Sequence, residues 1–240
     1  MCHLDEAGFA PTLPTTYSWS PVGEPLEVPY EAPEGRRVNA VGAYFTHGPE
    51  AGEFHHQTWA SLPKPRTKKE APDAPGRGEG NPPGGSVPKP RTKREAPTLA
   101  EQAAAHHLQP EEVGRIDSDR LLALIWKIAG RPAIHADDWR RERPLVVALD
   151  NYSVHKSQEV RAAQPALAAA NVTLWYLPAY SPELSGIEPV WHDVKHRGMV
   201  TRSHEVLGGL KREVDDALAR KAAALRAARS KTVDLLRRAA

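Results

Sequence analysis

Residues 145–177 read LVVALDNYSVHKSQEVRAAQPALAAANVTLWYL. The five apolar residues LVVAL have the length and β-branched content of a buried strand, and Asp150 stands at its carboxyl end. Residues 154–170 then carry a helical pattern, irregular near Pro165, and NVTLWYL over 171–177 reads as a second strand. A strand–helix–strand unit returns the chain to the same edge of one sheet. This edge, at the carboxyl ends of the strands, is where open α/β sheets bind ligands.

On the amino-terminal side, short strands are expected over residues 1–9, 17–28 and 37–46, separated by turn signals such as PVGEP and APEG. Asp117 or Ser118 can cap a helix over residues 119–130 that ends at Gly130, ahead of Pro132. A further helix starts near Ile187 and runs to about Arg197, and residues 203–229 are Ala-rich, charged and helical. Strands first, then strand and helix in alternation, predict an α/β mixed sheet flanked by helices, with a helical C-terminus.

Residues 62–110 have a different character. LPKPRTKKEAP at 62–72 recurs as VPKPRTKREAP at 87–97, nine of eleven positions being identical at a period of 25. The Gly/Pro-rich stretch between the copies cannot bury enough apolar surface to offset its ordering entropy. The chain therefore divides into a first core half over 1–61, a disordered insertion with a duplicated segment over 62–110, a second core half over 111–200 and a helical region over 201–240.

Composition excludes several classes. The 240 residues are 26% charged and 40% apolar with a net charge of +2, which by itself does not argue for nucleic acid. A single cysteine, Cys2, rules out a disulfide framework and suits a reducing cytoplasm. No apolar run approaches a membrane span, and the first twenty residues lack a signal-peptide core.

Three acidic residues are candidates for this sheet edge, each weak alone, and the spacing of Asp150 and Glu188 allows two or three carboxylates to converge there. Asp5 follows a short apolar stretch, Asp150 ends its strand, and Glu188 lies beyond the next strand, with 37 residues between it and Asp150. Carboxylates converging there cannot all stay ionised and unpaired at low cost. A hard dication such as magnesium resolves this, and two such ions can clamp both the attacking and the leaving oxygen of a phosphodiester. Locally, Ser185-Gly-Ile-Glu188 also fits a capping box. His192 and His196, at i and i+4 with Asp193 between, give a remote alternative, a zinc metalloprotease.

LDEAGF at 4–9, LDNYSVH at 149–155 and LPAYSPELSGIEPVWHDVKHR at 177–197 resemble the catalytic blocks of bacterial insertion-sequence transposases related to the mariner group. These belong to the DDE superfamily, which has a ribonuclease H-like core. The resemblance covers about residues 1–60 and 117–215. It implies that Asp5, Asp150 and Glu188 are the catalytic, metal-binding triad, holding two Mg2+ or Mn2+ ions. Asn151 and His155 match a DN-x-x-x-H pattern, with His155 either facing the scissile phosphate or making a structural hydrogen bond. Tyr180, Ser181 and Pro182 would shape the loop that aims Glu188, and Trp191 would anchor its helix.

The reaction implied is nicking at transposon ends, then attack of the freed 3′-hydroxyl on target DNA. Double-stranded DNA would be the partner, with a homodimer compatible, no membrane, and a bacterial, cytoplasmic and nucleoid-associated location. Where the family has Asn-Pro-Ile-Glu, this chain has Ser185-Gly186-Ile187-Glu188, which predicts a looser helix start. Only four residues precede Asp5, so the chain is expected to be a catalytic domain truncated at its N-terminus, lacking a helix-turn-helix region. The alternative is an inactive remnant that only binds DNA or other transposase subunits. Limited proteolysis is expected to cut first between about residues 62 and 110; protection of that interval would refute the linker reading.

Overall fold

The computed structural model describes residues 1–13, 20–25, 27–63, 97–134, 138–179 and 181–239, with side chains to residue 232. Five strands form one sheet: β1 (Cys2–Phe9), β2 (Arg37–Phe45), β3 (Phe54–Ser61), β4 (Leu145–Leu149) and β5 (Val172–Tyr176). Their order is β3-β2-β1-β4-β5, with β1, β2 and β3 antiparallel and β4 and β5 parallel to β1. This is the mixed sheet expected from the sequence.

Helices cover both faces. On one face α2 (Ser118–Ala129) and α3 (Gln158–Ala169) bury Leu121, Leu124, Ile125 and Leu167 against Leu4, Val41 and Phe45. On the other, α4 (Glu188–Asp193) and α5 (Leu207–Ala239) bury Trp191, Leu210 and Leu218 against Phe9, Val38 and Phe54. The alternation of side chains along β1 feeds both layers: Leu4 points to the first, Ala7 and Phe9 to the second. No helix among the described residues is long and apolar enough to cross a membrane.

Local chemistry explains the boundaries. Asp117 caps α2 by accepting the Arg120 amide at 2.9 Å, and Gly130 closes it in the left-handed conformation at φ 80°. The expected helix over 154–170 is in fact a 3-10 turn at Val154–Lys156 followed by α3, because Ser157 caps a fresh start at Gln158, its side chain accepting the Val160 amide at 3.2 Å.

Four expectations need correction. The described part of residues 17–28 forms no strand; Pro21 and Pro25 remove donors, and the Glu24 amide closes a turn on the Pro21 carbonyl. β3 was not anticipated, because FHHQTWAS lacks an apolar alternation; it is a half-buried edge strand that pairs with β2 from Phe54 to Ser61. Residues 97–110, assigned by sequence to the insertion, are folded. There Thr98 and Glu101 form a reciprocal capping box on α1 (Leu99–Ala105), whose Ala103 is buried. Residues 64–96 of that insertion lie outside the described residues. The long C-terminal helix starts at Leu207 rather than near residue 203, where Ser203 instead bridges to Thr12.

The contact that fixes α4 to the sheet is Trp191 on Gly42. Trp191 is 2% exposed and meets Phe54 edge-on at 5.7 Å. A Cβ at Gly42 would come within 2.6 Å of the indole and 2.8 Å of Phe54. Gly42→Ala is therefore expected to destabilise the fold by about 1–3 kcal/mol through overpacking. An unchanged melting temperature would show that the indole can move aside.

Candidate active site

The site begins with a register. β1 and β4 pair in parallel at Cys2 with Val147 and His3 with Ala148. Extending that ladder by two residues sets Asp5 level with Asp150. β4 stops at Leu149, so Asp150 sits just past its strand, with its side chain 56% exposed. The loop after β5 is tied to the loop after β4: the Leu177 amide donates to the Leu149 carbonyl at 2.8 Å, and Asn151 Nδ2 donates to the Leu177 carbonyl at 2.6 Å. Asn151 thus holds two strand ends together.

From Leu177 the chain turns at Pro182–Leu184 into α4, whose first residue is Glu188. Asp5, Asp150 and Glu188 line one cleft of about 450 Å³, together with Asn151, Ser181 and Pro182. Three carboxylates from three separated segments therefore face one space. Of the supporting residues expected from the sequence, Asn151, Ser181 and Pro182 line it, Trp191 lies beneath in the core, and Tyr180 lies outside the described residues.

The capping box anticipated for Glu188 does not form. Ile187 occupies the N-cap and offers no side-chain bond, while the Glu188 amide reaches the Ser185 carbonyl at 3.2 Å. The carboxylate is left for the cleft. Nor is the entry to α4 loose. The Gly186 amide donates to Nδ1 of buried His3 at 3.1 Å, and a Cβ there would meet Thr46 at 2.8 Å and His3 at 3.2 Å. Glycine is required by contact, and its N–H is a bond that proline could not make.

Electrostatics mark Asp5. Burial pushes its carboxyl up, and the charges of Glu6, Glu188 and Asp150 push further; a hydrogen bond from the Glu6 amide opposes them, leaving it at about 6 instead of 3.8. Three carboxylates facing one space offer the oxygen donors that a hard dication takes.

His155 is fully buried, and both of its ring nitrogens are turned to protein groups. Its Nε2 lies 2.9 Å from Glu6 Oε1 and its Nδ1 2.8 Å from Asp150 Oδ1. Burial alone would lower its pKa, but the Glu6 hydrogen bond and charge, with Asp150, carry it above its ordinary value. A protonated imidazole donates from Nε2 to Glu6 and from Nδ1 to the Asp150 backbone carbonyl at 3.2 Å, while its charge faces Asp150 Oδ1. The Tyr152 amide also donates to Asp150 Oδ1 at 2.9 Å, so this oxygen is held from two directions. The ligand atoms of Glu6, Asp150 and His155 lie within 4.8 Å of one another. With both ring nitrogens already facing carboxylates, the trio is best described as an ion-paired clamp on Asp150.

Glu6 was missed by sequence reasoning. The available signal was its place beside Asp5: strand alternation turns it to the opposite face, where His155 waits.

The zinc alternative loses its support. His192 and His196 stack at 4.5 Å, but the one group of three or more His, Cys, Asp or Glu with metal-ligand spacing among the described residues is the Glu6 trio. Asp193, the required base, is bonded to Lys221 at 2.7 Å, and this bond holds its carboxyl below the usual range.

A family model described as DDE superfamily endonuclease matches residues 114–211, a span that contains Asp150 and Glu188. No curated protein sequence matches the chain. Similar solved structures include the Mos1 mariner paired end complex with Mn, at 12% identity and a TM-score of 0.45, covering 93% of this chain and 52% of that one. The Mos1 strand transfer complex aligns at 12% identity and a TM-score of 0.46, over 93% and 50% of the two chains. A pre-cleavage Mos1 transpososome aligns at 11% and 0.45, over 93% and 52%. The chain spans about half the length of these structures.

The raised Asp5 carboxyl has a thermodynamic consequence. The folded state holds this proton more tightly than the unfolded state. Its stabilising effect is thus present below about pH 4 and lost as pH rises through about 6. The difference from 3.8 to about 6 corresponds to roughly 3 kcal/mol. In metal-free buffer at pH 7.5, Asp5→Asn is expected to stabilise the protein by about 1–3 kcal/mol, with the gain fading towards pH 4. Denaturant melts at both pH values check this, and a less stable variant at pH 7.5 would contradict it.

Proposed function

We propose that the chain is the catalytic domain of a transposase, a metal-dependent DNA endonuclease and strand transferase. The observation that carries this reading is the convergence of Asp5, Asp150 and Glu188 on one cleft, where β4 ends beside the middle of β1 and α4 begins. The match of residues 114–211 to the DDE superfamily endonuclease family supports it.

Asp5, Asp150 and Glu188 are the residues that would hold two Mg2+ or Mn2+ ions. Bound there, the metal supplies Lewis-acid stabilisation of the oxygens that enter and leave the phosphorus. The chain's own residues do the positioning. The Glu6–His155 pair fixes Asp150 Oδ1, and the Tyr152 amide reinforces it. Trp191 seats α4 on the sheet and so sets the reach of Glu188. In the first reaction water attacks a phosphodiester and releases a 3′-hydroxyl; in the second, that hydroxyl attacks another phosphodiester and displaces its 3′-oxygen. Double-stranded DNA, as transposon end and as target, is the substrate in this reading, and a homodimer would bring two ends together.

The test is nicking of supercoiled plasmid by the purified chain in magnesium or manganese. Nicking is expected, with Asp150→Asn and Glu188→Gln each lowering the rate at least a hundredfold. Equal nicking by both variants and the parent would remove the triad. DNA binding without any metal-dependent cutting would instead favour a non-catalytic remnant.

A further inference from the structure

The sheet continues past its catalytic edge. β4 ends at Leu149, whereas β1 runs four residues beyond Asp5, still paired with β2 at Gly8 with Asn39 and Phe9 with Val38. On this shelf lies a second cleft of about 560 Å³, lined in part by Gly8, Arg37, Asn39 and Arg115. It shares Asp5, Asp150 and Tyr152 with the cleft of the three acids, so the two form one trough.

The trough is acidic at one end and basic at the other. The Arg37 guanidinium lies across Gly8, where a Cβ would come within 2.5 Å of its Nη2. The missing side chain at Gly8 lets that group rest on the floor of the cleft. Arg115 is exposed on the segment entering α2, and Arg120, stacked over Trp59 at 4.4 Å, donates to its carbonyl. Among the described residues the arginines paired with carboxylates are Arg36, Arg141, Arg197 and Arg229. Among the described residues, Arg37 and Arg115 therefore present charge that no carboxylate pairs with. From Asp5 to Gly8 is three residues of strand, roughly 10 Å at 3.3 Å each. That is close to three rises of a DNA strand at about 3.4 Å.

We propose that Arg37 and Arg115 form a phosphate subsite for the DNA strand whose reactive phosphodiester lies at the three acids. This rests on the transposase reading and adds where the flanking backbone runs. Planar guanidinium groups suit bidentate contact with phosphate oxygens, and here they offset the repulsion between an acidic cluster and a polyanion. The direction is set as well: the strand leaves the acids past Tyr152 towards the first residue of β2.

The test uses the full chain and a fluorescein-labelled 30-base-pair duplex, titrated by anisotropy without divalent metal over a range of salt. Arg37→Ala/Arg115→Ala is expected to weaken binding at least tenfold at 0.1 M salt. It should also flatten the slope of log K against log salt by about 1.8, near 0.9 per lost contact. Arg115→Ala alone, which leaves the sheet untouched, should flatten it by about 0.9. The double lysine variant should keep the parent slope, and Arg161→Ala, on the outer surface of α3, should bind as the parent does. Unchanged affinity and slope in both alanine variants overturn the subsite. If the parent still nicks plasmid in metal, that result leaves the function standing. A parent that neither binds nor nicks DNA overturns both.

Discussion

Two residue pairs, Cys2 with Val147 and His3 with Ala148, make the whole parallel ladder between β1 and β4. The height of the acids depends on it. Shifting β1 by one residue would turn Leu4 out of one core layer and Phe9 out of the other, because side chains alternate faces at every step. The ladder is short, but the two apolar layers specify its register. Asp5 and Asp150 meet because burying Leu4, Ala7, Phe9 and Val147 leaves one alignment.

Glu188 is located by a different route. It rides on α4, and α4 is seated by Trp191 on Gly42, the residue paired with Asp5 across β1 and β2. The first and third carboxylates are thus referenced to the same point of the sheet. Asp150 is referenced to the opposite layer through His155, whose carbonyl also accepts the Tyr176 hydroxyl at 2.8 Å. The cleft lies between two independently packed helical layers, and each supplies one anchor.

Much of this was legible in the residues. LVVAL followed by Asp150, and VTLWY after the intervening helix, announce two parallel strands with one acid at a carboxyl end, whereas Asp5 and Glu188 joined it through the resemblance of the blocks that carry them. β3 was hidden because an edge strand under a helix can be built from His, Gln and Thr, with only Phe54 and Ala60 buried. The capping box at Ser185 was a local rule that tertiary contact overrode: once Gly186 binds His3, the backbone enters α4 at Ile187 and Ser185 is out of reach. The clamp on Asp150 could not be read by pattern. It joins Glu6 to His155 across 149 positions of chain, and its signal is burial of a histidine, which only the fold reveals.

The bond between Gly186 and His3 makes two distant positions interchangeable only as a pair. A proline at 186 would delete the donor, strand a buried imidazole nitrogen and press its ring on Thr46. A larger residue at 3 would close the same gap from below. The turn ahead of the third carboxylate is therefore not a module that can be moved between relatives by itself. Its sequence is conditional on the third residue of the chain, so a chimaera joined anywhere between them inherits a lock from one parent and a key from the other.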